Sequence, residues 1–142
     1  MADEKHREPV EWKDQYKVDV EIIDENHRKF VEIIQRLDRV LNNKACKEDP
    51  SDIFYALVHY VEHYLLQEEI YFKNYQYPNF SRHKESHQYF IDQIIRFREE
   101  FEKGSETICL EMREFLIEWF REHILSYDKE AVYFLVQKGL NR

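Results

Sequence analysis

An all-α fold, an antiparallel up-down-up-down four-helix bundle behind a non-helical N-terminal arm, is what this sequence predicts, on three observations. Two Gly and three Pro in 142 residues leave little turn material for a β-protein and suit a few long helices with short connections. Apolar residues recur at steps of three and four along four stretches, the a/d pattern of a bundle core. Between those stretches stand residues that end helices, among them Pro78 and Gly104.

Taken in order, residues 1–17 read as an arm containing Pro9 and Trp12, with Trp12 expected to fold back onto the bundle. The first helix is predicted from about Asp19 to Asn42, its seam formed by Val20, Ile23, His27, Phe30, Ile34, Leu37 and Leu41. A polar connection, NNKACKED, leads to Asp49-Pro50, which reads as an N-cap with Pro at the first helical position. The second helix then runs to about Tyr75 on a seam of Phe54, Leu57, Val61, Tyr64, Glu68, Tyr71 and Tyr75. Ser81 is a plausible N-cap for a third helix reaching Lys103, with His83, His87, Phe90, Ile94, Phe97 and Phe101 inside. The fourth is expected from near Ser105 to about Leu125 on Cys109, Met112, Leu116, Trp119 and His123. AVYFLVQKGL reads as its continuation or as a short separate helix. All of this fits one domain over 1–142, the bundle occupying about 19–138.

Composition bounds the function. A net charge of −8 and a pI near 5.4 argue against nucleic-acid binding, which needs a basic stripe. No apolar run approaches the ~20 residues that cross a bilayer, so no membrane association is expected. The charged start, MADEKHREPVEW, has no apolar signal region. Cys46 and Cys109 lack zinc or CxxC spacing and read as reduced thiols. These points favour a cytoplasmic protein, monomeric or weakly oligomeric.

The polar residues on the seams carry the chemistry. A buried, unpaired imidazole or carboxylate costs several kcal/mol, so a core containing this many asks for a compensating cation. One histidine on an apolar face is more often a satisfied core residue than a ligand. His83 and His87, however, form an i, i+4 pair that stacks two imidazoles on one helix face. Adding His27, Glu68 and His123 from three other helices makes coincidence a poor account. Imidazoles with bridging carboxylates in a bundle interior suit iron or manganese, and no thiolate set favours zinc. Asp128 lies five residues past His123. On a regular helix it points about 140° away, so both reach one site only if the helix loosens or Asp128 reaches in from its end.

The motifs IDENH (23–27), EEIYF (68–72), HKESH (83–87) and WFREHILSYD (119–128), with Trp12 ahead of the first helix, resemble the hemerythrins, especially the single-domain bacteriohemerythrins. The resemblance covers the chain from Trp12 to about Tyr133. It implies a four-helix bundle holding two iron ions, oxo- or hydroxo-bridged, that bind dioxygen. By position, His83, His87 and His123 would hold one iron, His27 the other, and Glu68 and Asp128 would bridge them. Where the family has His-x3-Glu on its second helix, this chain has Tyr64 four residues before Glu68, with His63 adjacent. Ungapped flanks and the heptad register favour Tyr64 as the seventh metal-facing residue, because His63 is rotated about 100° from the seam. His59 and His63 read as a partly exposed pair on the neighbouring face.

The resemblance thus implies an oxygen-binding protein for storage, delivery or sensing, with O₂ or another small diatomic or peroxide as its ligand. Two other readings stand beside it. One is a di-iron redox enzyme that consumes peroxide or nitric oxide, or oxidises ferrous iron, with Tyr ligation altering its potential. The other is a binding module with a structural metal.

Overall fold

The computed structural model describes residues 10–42 and 51–139. The expected connection at 43–50, with its Asp49-Pro50 cap and Cys46, lies outside the described residues, as do 1–9 and 140–142. Helix α1 spans Glu21–Asn42. Helix α2 covers 51–74 in three parts: α-helical Ser51–Tyr60, a π-helical turn at Val61–Leu65, and α-helical Leu66–Asn74. Helix α3 is Phe80–Glu102. Helix α4 covers 108–137 as Ile108–Glu122, a second π-helical turn at His123–Asp128, and Lys129–Gln137. Consecutive helices pack side by side, and α4 returns to α1, which closes the up-down-up-down bundle that short connections require.

Local chemistry sets the boundaries. Asp19 has φ 61°, in the left-handed region that a helix excludes, so α1 starts two residues later than the sequence suggests. Asp24 then accepts a hydrogen bond from the Val18 backbone N–H at 2.8 Å, which fixes the entry. Gly104, with φ 93°, ends the turn after α3 as expected, since a glycine has no Cβ to clash there. The segment after Leu125 continues α4 instead of forming a separate helix.

The arm is tied down. Trp12 lies against the core with its ring edge-on to Tyr16 at 5.6 Å, and Gln35 donates a hydrogen bond to the Val10 carbonyl at 2.9 Å. Among its described residues one turn coils, a 3-10 helix at Asp14–Tyr16.

Three seams pack largely as read. Val20 just ahead of α1, and Ile23, His27, Phe30, Ile34 and Leu37 on it, are buried, as are the seam residues of α3 from His83 to Phe97 and of α4 from Cys109 to His123, whereas Leu41 and Phe101 at the seam ends are half-buried. The α2 seam departs. Tyr60, Leu65 and Phe72 are buried there, whereas Val61, Tyr64 and Tyr71 are only half-buried. The π turn at Val61–Leu65 accommodates one extra residue, so the inward face passes from Tyr60 to Leu65 and skips position 64. A heptad count assumes unbroken α-helix and cannot see that insertion.

Cys109 also corrects an expectation, for it is disulfide-bonded and not a free thiol. Spacing rules test partners near in sequence and miss one that the fold brings close. Among the described residues no helix is long and apolar enough to cross a membrane.

Candidate metal centre

Six side chains from all four helices meet in the bundle interior: His27 from α1, Glu68 from α2, His83 and His87 from α3, and His123 and Asp128 from α4. Each is at most 3% exposed. The i, i+4 spacing on α3 brings the His83 and His87 rings within 4.7 Å of each other. On α4 the π turn solves the geometric problem posed by a five-residue separation. Its i to i+5 hydrogen bonding stacks residues five apart, and it spans His123–Asp128. The helix loosens where two groups five apart must share a site.

Both carboxylates straddle the centre. Asp128 points Oδ1 at Nε2 of His83 and of His123, 3.0 Å from each, and Oδ2 at His27 Nε2, 2.7 Å away. Glu68 turns Oε1 toward Nε2 of His83, His87 and His123 at 3.6, 3.4 and 3.9 Å, and Oε2 toward His27 Nε2 at 3.6 Å. The donors therefore divide into a three-imidazole side and a one-imidazole side, each carboxylate giving one oxygen to each. Groups of this kind that could hold a metal ion are Glu68 with His83, His87 and His123, and His27 with Glu68 and Asp128.

Whether a cation fits is answered by the polar atoms themselves. Nine buried side-chain nitrogens and oxygens among the described residues lack a hydrogen bond, and eight belong to His27, Glu68, His83 and Asp128. Their approaches are short but not aligned as hydrogen bonds. Such groups are costly to bury, and donors converging on common points are satisfied by a metal.

The electrostatics agree. Burial opposes a charge on His27, yet contacts with Asp128 and Glu68 outweigh it and raise its pKa to about 10. His83 is raised to about 9 by the same balance. Burial would raise Glu68, but the surrounding imidazoles, His123 foremost, hold it well below the usual carboxylate range. For Asp128, burial and the Glu68 charge are overcome by His123 and His27. Two anionic carboxylates thus face the imidazoles at neutral pH, a field that favours cations.

Partners behind the ligands aim them. His87 Nδ1 lies 2.8 Å from Glu69 Oε2, and His123 Nδ1 lies 2.9 Å from Ser86 Oγ, leaving each Nε2 directed inward. Sequence reasoning passed over Glu69 and Ser86, although both sit inside the quoted motifs; their cross-helix partners become visible only in the fold. Aromatic rings wall the site. Trp119 stacks on His123 at 4.4 Å, Phe72 meets His83 at 4.4 Å, and Phe120 stands edge-on to His27 at 6.1 Å.

The His27 side is flanked by tyrosines in an order the sequence does not suggest. Tyr60 is buried, with its ring 5.2 Å from Phe30, and burial followed by the charges of Glu68 and Asp128 pushes its hydroxyl well above the usual phenol range. Tyr64 stands behind it, half-buried, ring to ring at 5.0 Å. His63 is exposed.

The fold and this centre define a helical bundle with a buried donor set that could hold metal ions, and comparison narrows the class. Residues 18–135 match the family model described as the hemerythrin HHE cation binding domain. The chain is 32% identical over 125 residues to a bacteriohemerythrin of Clostridium acetobutylicum, an alignment covering 85% of this chain and 97% of that one. It is 28% identical over 119 residues to a bacteriohemerythrin of Stenotrophomonas maltophilia, covering 83% and 76% of the two chains. A Pseudomonas aeruginosa bacteriohemerythrin shares 26% over 117 residues, covering 82% and 75%. The chain belongs to the hemerythrin family.

Proposed function

We propose that this chain is an oxygen-binding protein, acting in O₂ storage, delivery or sensing, with two iron ions held in the bundle. The observation that carries the reading is the split of both buried carboxylates between a three-histidine side and His27. His83, His87 and His123 would hold one iron and His27 the other, with Glu68 and Asp128 reaching both. A pair of irons supplies reversible two-electron exchange with dioxygen. The protein's share is to orient and to exclude. Glu69 and Ser86 fix the rings of His87 and His123, while Phe30, Trp119 and Phe120 keep water from the donors.

Tyr64 is the phenol proposed from sequence for the remaining position beside His27. Its half-buried ring sets a condition: the π turn of α2 must tighten for the hydroxyl to reach. Burial and charge favour Tyr60 for the same place. Either phenol would favour ferric iron and would support the second reading, a di-iron enzyme acting on peroxide, nitric oxide or ferrous iron. A structural metal in a partner-binding bundle is the third. The test is the visible spectrum of the reduced protein on adding and removing O₂. Reversible change supports the carrier or sensor; irreversible oxidation with peroxide turnover supports the enzyme.

A further inference from the structure

Six histidines lie among the described residues, and four converge on the centre; the other two, His59 and His63, stand next to each other on α2. Both are exposed. Their ring centroids are 4.0 Å apart, closer than the 4.7 Å that separates His83 from His87. The i, i+4 spacing puts the two imidazoles on one face, and the pair straddles the start of the π turn at Val61–Leu65. His59 also lines an open groove of about 530 Å³ between α1 and α2, so water reaches it freely.

We propose that His59 and His63 form a second metal site, an open two-imidazole clasp on the outside of α2 for a divalent transition cation of the nickel, copper or zinc class. Imidazole nitrogen is the donor such borderline cations prefer. Two rings on one helix face bind as a chelate, since capture by the first makes the second encounter intramolecular. Among the described residues no third His, Cys, Asp or Glu group closes on the pair as others do at the centre, so water fills the remaining positions. The net charge of −8 draws cations toward the molecule. Neither residue belongs to the buried set of His27, Glu68, His83, His87, His123 and Asp128, and the His59 ring meets that of Tyr64 at 6.3 Å.

The test titrates Ni²⁺ into the iron-loaded protein by calorimetry and measures iron content after each titration. One saturable Ni²⁺ per chain is expected. His59→Ala and His63→Ala should each weaken it about 100-fold, with iron content and helicity unchanged, while His6→Ala should leave it intact. Ni²⁺ binding that is absent, non-saturable or indifferent to both substitutions overturns the proposal. So does loss of iron together with Ni²⁺ in either variant, because the pair would then be part of the buried centre's support.

Discussion

His87 and His123 each turn Nε2 toward the carboxylates and Nδ1 toward a partner on the bundle wall, Glu69 for one and Ser86 for the other. That second contact fixes the ring and its tautomer, and loss of such a contact weakens a metal by about 10–100-fold. Glu69→Ala and Ser86→Ala should each do so, measured as chelator concentration for half-removal of the metal; unchanged affinity would show that packing alone holds the rings. The aromatic wall makes a different prediction. Phe120 stands edge-on to His27 and stacks at 5.0 Å on Phe30. Phe120→Ala opens the centre to water and anions, so the reduced protein should oxidise faster, and an equal rate would remove Phe120 from that role. At this scale the sequence was generous. His27, Glu68, His83, His87 and His123 occupied apolar seam slots, which is where burial makes a polar residue conspicuous. Asp128 needed the family resemblance, because its five-residue offset contradicts a regular helix.

Elements explain what the residues could not. Among the described residues two π turns adjust register, with opposite consequences. The turn at His123–Asp128 brings two donors onto one face, whereas the turn at Val61–Leu65 takes Tyr64 off the seam and buries Leu65. Heptad counting recovered most of three seams; on the second it kept Glu68 but misplaced Val61, Tyr64, Tyr71 and Tyr75, because one inserted residue leaves no mark on composition or capping. The competing phenols can be separated. A phenolate-to-iron band in the ferric protein that disappears in Tyr60→Phe and survives in Tyr64→Phe would assign the position to Tyr60. The reverse would show that the π turn tightens when iron binds, and loss only in His63→Ala would assign His63. A second element-level device is Glu130, which accepts hydrogen bonds from Tyr77, Asn79 and Arg82 and so ties the α2–α3 connection and the start of α3 to α4. Glu130→Ala should cost about 1 kcal/mol, visible as a lower Tm with the metal content unchanged.

At the scale of the whole molecule, the core is divided between hydrocarbon and a polar centre that protein groups alone do not satisfy. Phe30, Leu37, Leu57, Phe90, Met112 and Leu116 are fully buried and supply the ordinary driving force. The eight unsatisfied atoms among His27, Glu68, His83 and Asp128 work against it. A metal bound there would be coupled to folding, so stripping it with a chelator should lower Tm by several degrees, given roughly 2–4 °C per kcal/mol for a chain near this size. His83→Ala should show the same drop without chelator, and a Tm equal to that of the loaded parent would separate the centre from stability. Fold class was legible because few breakers and four periodic stretches leave little choice, but the disulfide at Cys109 was not, since pairing depends on proximity that only folding creates. The most direct test of the central claim is metal content of the purified, reconstituted protein by elemental analysis. Two irons per chain are expected, falling to one or fewer in His83→Ala. One iron or none in the parent, or two retained in His83→Ala, would rule out a di-iron centre held by these residues.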